Sequence, residues 1–263
     1  MKKKKAIWIA ISIAVVVVVA ALAVMGVFAF SKKSDPAFVA HRGYSESYVG
    51  NTEDAFLAAS ERGFYGIETD IWKTKDGFYV CNHDETVKYQ SGEEKEVSAT
   101  DLEELLAIPL KNDKTATSVY LCTFERYLEI CKKGGKTAVI ELKEDFSSDE
   151  LREIFAIVDR AYDRKCVSVI SFFFDPLLVV KREYPGVDVQ YLSETKNDPI
   201  FEKCLKEGVS LDVRQSILTG KMVRAFHDAG LTVNTWTVDK KIDLLIVRLK
   251  GVDYVTTDLF CKE

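Results

Sequence analysis

A (β/α)8 barrel is the fold class this sequence predicts, and three observations predict it. Eight short apolar runs of strand length alternate with segments of helical period; several of those segments end at a glycine just before the next run; and no Gly-rich nucleotide loop interrupts the alternation. Strands are expected at 38–41, 65–70, 137–141, 167–171, 187–192, 209–211, 231–236 and 254–257. Helices are expected at 52–62, 149–161, 176–183, 199–207, 221–229 and 242–250, with Gly63, Gly208, Gly230 and Gly251 suited to the left-handed position that closes a helix. Periodicity alone also permits an open, doubly wound sheet.

One stretch breaks the rhythm. After the second strand, residues 70–75, the turn Asp76-Gly77 and residues 78–82 read as a hairpin. Residues 85–118 then carry a charged tract, a short helix at 101–107 and a polar run, which together read as a short insertion in the second βα connection.

The amino terminus has a different character. Residues 1–5 form a basic flank and residues 6–30 are uncharged and apolar, a helix of roughly 37 Å at 1.5 Å per residue, longer than the hydrocarbon core of a bilayer. The polar linker 31–36 follows, and 37–263 is the barrel. One transmembrane helix is therefore expected, with four lysines before it against two after it favouring a catalytic domain outside the cytoplasm on a single-pass cell-membrane anchor. Cleavage of a secretory signal after Ala21-Leu22-Ala23 is the alternative; the apolar run continuing to Phe30 favours the anchor.

Composition bounds the function. With 47% hydrophobic and 29% charged residues in 263, the chain can build a substantial core. The formal charge of −5 hides an asymmetry: six lysines and no acid lie in the first 34 residues, leaving 30 basic against 41 acidic residues, a net −11, for the rest. So acidic a body excludes a nucleic-acid partner. Nothing marks an obligate protein partner. The six cysteines show no CxxC pair or dense framework, and no disulfide is assigned.

Chemistry gathers where the strands end. Glu68 and Asp70 are two apart on one strand and face the same side, and Glu141 closes the next. Three convergent carboxylates repel one another unless a hard cation sits among them, and oxygen ligands suit Mg²⁺ or Ca²⁺ rather than zinc. His41 ends the first strand and His83 follows the hairpin, while His227 lies in a helical segment and reads as structural. Two imidazoles supply an acid and a base near neutral pH, and the fork-shaped Arg42 suits a phosphate oxygen. This set points to phosphate-ester chemistry. Lys143 suits a counter-ion, and Trp236 suits either core packing or a pocket wall.

Eight blocks in order carry a resemblance: His41-Arg42-Gly43, Asn51-Thr52-Glu53-Asp54-Ala55-Phe56, Gly66-Ile67-Glu68-Thr69-Asp70, Thr74-Lys75-Asp76-Gly77, His83-Asp84, Ile140-Glu141-Leu142-Lys143, Trp236-Thr237-Val238 and the run from Gly251 to Asp258. Together they resemble a glycerophosphodiester phosphodiesterase of the membrane-anchored bacterial type. The resemblance implies a TIM barrel that uses one divalent cation, Ca²⁺ or Mg²⁺, to hydrolyse small-molecule glycerophosphodiesters to sn-glycerol 3-phosphate and an alcohol. It implies Glu68, Asp70 and Glu141 as metal ligands, His41 and His83 as the acid/base pair, Arg42 as the phosphate contact, and Lys143 and Trp236 as lining of the glycerol-phosphate pocket. It also matches 85–118 to the family's insertion. One position departs: the family usually has Glu before Asn-Thr, and this chain has Val49-Gly50-Asn51-Thr52, with Glu46 and Glu53 the nearest acids. That departure leaves two further readings, a catalytically weakened barrel that binds glycerophosphate polymers or lipid headgroups, and a phospholipase D-like lipid hydrolase on the same scaffold.

Overall fold

The computed structural model describes Val18 and residues 35–259. The expected anchor, apart from Val18, lies outside these residues; among them no helix is long and apolar enough to cross a membrane.

Eight parallel strands close on themselves. They are β1 (Ala37–Ala40), β2 (Gly66–Lys73), β7 (Thr137–Leu142), β8 (Val167–Ser171), β9 (Asp188–Ser193), β10 (Ser210–Arg214), β11 (Val233–Trp236) and β12 (Tyr254–Thr257). β1 pairs with both β12 and β2, so the ring has no free edge and the open-sheet alternative falls. Each strand matches its expected position within a few residues. Helices α1 (Glu53–Ser60), α3 (Phe124–Gly134), α4 (Ser148–Ala161), α5 (Phe174–Glu183), α6 (Ile200–Glu207), α7 (Gly220–Asp228) and α8 (Lys241–Lys250) fill the connections.

Local signals explain the helix boundaries. Thr52 caps α1 by accepting from the Ala55 N–H, and Ser147 with Glu150 forms a reciprocal capping box on α4. Gly135, Gly208 and Gly251 end α3, α6 and α8 in the left-handed region. Gly63, expected to do the same for α1, does not: that helix stops at Ser60 with Glu61 as its cap, and Gly63 lies beyond it. Helix α3 was absent from the expected set although Phe124, Tyr127, Leu128 and Cys131 are spaced i, i+3, i+4, i+7 and are all buried. His227 on α7 has a structural partner, Asp253 at 2.8 Å, and the same carboxylate accepts from the Val233 N–H at the start of β11.

The insertion is a small folded unit. Strand β2 pairs with β3 (Tyr79–Cys81), completing the expected hairpin, and β3 pairs with β6 (Cys122–Thr123). Between them a second hairpin, β4 (Thr86–Lys88) with β5 (Glu94–Glu96), and the short helix α2 (Leu102–Leu106) pack around Val87, Tyr89, Val97, Leu105 and Leu110. The Tyr89 hydroxyl donates to the Leu105 carbonyl at 3.1 Å. This hairpin was hidden in sequence because its strands are short and polar.

The first loop fixes the barrel mouth. Arg42 and Gly43 follow one another with φ of 56° and 80°, folding the chain back so that the Asn51 N–H donates to the Arg42 carbonyl at 3.0 Å. A Cβ on Gly43 would stand 2.6 Å from the Ala55 carbonyl carbon, so the turn requires glycine. Gly43→Ala is expected to cost about 2 kcal/mol or more in urea unfolding, from the left-handed backbone and the contact together; an unchanged midpoint contradicts the close approach.

Candidate active site

Register brings the acids together. β2 and β7 pair so that Asp70 lies directly opposite Glu141, with Glu68 opposite Val139. Because strand side chains alternate, Glu68 and Asp70 point into the barrel while Ile67 and Ile71 join the core between sheet and helices. One oxygen from each of Glu68, Asp70 and Glu141 lies within 4.8 Å of the other two, and all three residues are buried.

Neighbours hold the carboxylates in place. The Arg42 backbone N–H donates to Glu68 Oε2 at 2.7 Å, and its guanidinium Nε lies 3.4 Å from Asp70 Oδ2. Asn51 donates from Nδ2 to Asp70 Oδ2 at 2.8 Å, while its Oδ1 accepts from the Thr69 hydroxyl at 2.9 Å. Lys143 reaches Glu141 Oε1 at 2.8 Å and Asp70 Oδ1 at 3.3 Å. Lys143 is thus a counter-ion within the cluster, while the adjacent Glu144 accepts from the Lys73 N–H.

The three acids cannot all ionise at ease. Burial, then the charges of Asp70 and Glu141, push the Glu68 carboxyl well above its ordinary value. Burial and Asp70 likewise raise Glu141 to about 7. Burial opposes ionisation of Asp70 too, yet Lys143, Arg42, His83 and the Asn51 hydrogen bond together hold it below the ordinary range. Asp70 Oδ1 is buried and accepts no hydrogen bond, the Lys143 ammonium standing 3.3 Å away. A cluster of buried carboxylates with an unsatisfied oxygen fits a hard cation such as Ca²⁺ or Mg²⁺.

Each active-site imidazole is backed by a carboxylate. His41 Nδ1 lies 2.8 Å from Asp258 Oδ1, which also accepts from the Ser45 hydroxyl at 2.7 Å. His83 Nδ1 lies 2.8 Å from Asp84 Oδ1, and Lys88 holds the other Asp84 oxygen at 2.8 Å. With Nδ1 engaged, Nε2 is the nitrogen left to exchange protons. Burial, then Arg42, lower the His83 pKa, so its neutral form prevails at neutral pH.

All of these groups converge on one cavity of about 240 Å³ at the carboxyl ends of the strands. His41, Arg42, Glu68, His83, Glu141, Lys143 and Trp236 line it, and buried Asp70 is ion-paired with Arg42 and hydrogen-bonded to Asn51. Trp236 combines both roles open to it in sequence: it packs on Val39, Val139, Ile170 and Leu192 inside the barrel and meets Phe172 edge to face, with ring centroids 6.0 Å apart. Phe172 forms the rim, whereas Phe174 turns to the core and packs on Tyr191. Neither acid near Gly50 substitutes for a carboxylate there. Glu46 accepts from the Tyr44 hydroxyl, and Glu53 pairs with Arg126.

Four site residues carried no role in the sequence reading: Asn51, Asp84, Asp258 and Asp212. Asp212 lines the cavity floor, accepts from Asn234 at 3.0 Å, and has its other oxygen buried without a partner. Burial, then Glu141, raise its pKa well above the ordinary value. A lone acid in the apolar run Leu211-Asp212-Val213 is the same signal that marked Glu68, and could have found it.

A sequence model described as the Glycerophosphoryl diester phosphodiesterase family matches residues 41–260. The chain belongs to that family. A glycerophosphodiester phosphodiesterase of Caldanaerobacter subterraneus subsp. tengcongensis is 29% identical over 226 residues, covering 84% of this chain and 93% of its own. A crystal structure of a glycerophosphodiester phosphodiesterase from Parabacteroides distasonis superposes with a TM-score of 0.74 at 29% identity, over 86% of this chain and 94% of that one. A phosphodiesterase from Oleispira antarctica shares the fold, with a TM-score of 0.76 at 22% identity over 85% of this chain and 93% of that one. Family members thus align with this chain across its whole barrel.

A cation at the acidic trio would bind with a pH dependence set by the carboxyls. A cation held by the trio would compete with protons on Glu68 and Glu141, whose carboxyls are both raised, so its affinity is expected to rise with pH by up to about tenfold per unit for each proton released. Calorimetric titration of Ca²⁺ or Mg²⁺ in buffers of different ionisation enthalpy is expected to show proton release; affinity independent of pH contradicts the assignment.

Proposed function

We propose that the protein hydrolyses glycerophosphodiesters to sn-glycerol 3-phosphate and an alcohol. The observation that carries this reading is the convergence, on one cavity of a family member, of two carboxylate-backed imidazoles and a buried acidic trio flanked by Arg42 and Lys143. Glu68, Asp70 and Glu141 would hold one divalent cation. When bound, such an ion neutralises charge on the phosphate and makes a neighbouring glycerol hydroxyl more acidic.

The chain's own residues do the rest. Arg42 contacts a phosphate oxygen, Lys143 steadies Glu141 and Asp70, and Trp236 with Phe172 walls the glycerol carbons. One imidazole takes the proton of the glycerol hydroxyl as its oxygen attacks phosphorus, and the other gives a proton to the departing alcohol oxygen. Water then opens the cyclic phosphate with the two roles exchanged. Asp258 and Asp84 keep each ring in the tautomer that leaves Nε2 free.

Gly50 does not undo this arrangement. The Arg42 N–H on Glu68 and the Asn51 amide on Asp70 anchor both ends of the first loop without a carboxylate at position 50. We therefore favour a working enzyme over a weakened binding barrel.

Purified protein is expected to release glycerol 3-phosphate from glycerophosphocholine or glycerophosphoglycerol, to stop with EDTA and to resume with added cation. His41→Ala with His83→Ala is expected to lower the rate by about 10³-fold or more, since each proton transfer contributes about 10²–10⁴. Full activity in that double variant would sink the reading.

We also propose that residues 6–30 anchor the chain in the cell membrane with the barrel outside, on the strength of the uncharged apolar run and its lysine flanks. Carbonate-resistant membrane association and cleavage of the barrel by protease added to intact cells are expected. A soluble product beginning after Ala23 points instead to signal cleavage.

A further inference from the structure

A second cleft adjoins the active-site cavity. Arg42 and His83 line both, and beyond them a space of about 290 Å³ opens between the first loop at Gly50 and the insertion at Asn82, Lys88 and Lys111. Arg42 is the side chain assigned to the phosphate. A diester whose glycerol sits against Trp236 would therefore carry its other ester arm past Arg42 into this cleft.

Charge describes what that arm should be. Lys88 and Lys111 come from the insertion and are fixed side by side, the Lys111 N–H donating to the Lys88 carbonyl at 2.9 Å. With Arg42, which Asp70 shares, they face a single carboxylate in the cleft lining, Asp84, already engaged by Lys88 and His83. Gly50 adds neither bulk nor charge; a Cβ there would lie 3.0 Å from the Arg42 Cβ, so the guanidinium stem lies directly against the loop. Positive excess here contrasts with the net −11 that the sequence carries beyond its first 34 residues. The cleft offers no aromatic box or acidic cluster to receive a quaternary ammonium.

Resting on the hydrolase reading above, we infer that this cleft is a subsite for the leaving alcohol and selects an alcohol that bears a further phosphate. The insertion thereby acts as the specificity element for the arm that departs, while the barrel recognises the glycerol phosphate that remains. Lys111 is the residue to change, because its side chain is exposed and its only assigned contact is through backbone.

The experiment compares kcat/KM for three diesters of one glycerol phosphate: with choline, with glycerol, and with glycerol bearing a terminal phosphate. A short oligomer of glycerol phosphate forms a fourth arm, separating recognition of an internal diester from that of a terminal monoester. At low salt the phosphate-bearing alcohol is expected to exceed the glycerol compound about tenfold, with choline lowest, and 0.5 M NaCl is expected to compress the order. Lys111→Glu is expected to remove most of the preference, whereas the remote Lys206→Gln leaves it intact. Equal kcat/KM across the series, or a preference that survives Lys111→Glu, overturns the subsite. Should no diester be hydrolysed, it is the activity that falls; equilibrium binding of the glycerol and glycerol-phosphate compounds, which needs no turnover, then decides the subsite by the same ratio.

Discussion

Three carboxylates forced together inside a closed barrel are the constraint on which the rest of the site depends. One oxygen from each of Glu68, Asp70 and Glu141 lies within 4.8 Å of the other two, and all three residues are buried. Left alone, such a cluster would shed its charge by taking up protons, since burial and mutual repulsion act in the same direction. The protein resolves this unevenly. Cations and an amide converge on Asp70, which stays ionised, whereas Glu68 and Glu141 are raised. The site is thus held short of full ionisation, and a divalent ion would be the natural agent to complete it.

Much of the surrounding backbone serves that arrangement. The Asp70–Glu141 pairing is a register fact, fixed once β2 and β7 align from Gly66 opposite Thr137 to Ile71 opposite Leu142. A slip of one residue would turn the acids into the apolar layer. The tight Arg42-Gly43 turn points a peptide N–H at Glu68 and a guanidinium at Asp70 from a single residue. Asn51, also at positive φ, closes the same loop from its other end. An Asn tolerates that conformation better than most residues while its side chain bridges Thr69 and Asp70.

Sequence exposed what depends on periodicity and concealed what depends on closure. The strands and most helices were visible because alternation and helical spacing are local. Glu68, Asp70 and Glu141 stood out because acids closing apolar strands are costly unless used. Asp258 could not be joined to His41 from the chain alone: 217 residues separate them, and only the β12–β1 pairing that seals the barrel brings them together. The Asp212 position depends in the same way on β10 lying across the barrel from β7. Helix α3 was missed for a different reason: it follows the irregular insertion, where the alternation that guided the reading is interrupted.

Charge balance at the site also bears on the valence an ion held there would need. Glu68, Asp70 and Glu141, when ionised, face Arg42 and Lys143, leaving one negative charge uncompensated. A divalent ion would turn that into one positive charge, which a phosphodiester monoanion cancels; a monovalent ion would leave nothing to attract the substrate. Asp212 would upset this balance were it ionised, since it lies close enough for Glu141 to act on it. Burial, then Glu141, disfavour its ionisation, and its second oxygen is buried without a hydrogen-bond partner. The same physics that raises Glu68 and Glu141 therefore acts on Asp212 as well: burial disfavours a fourth charge beside the trio.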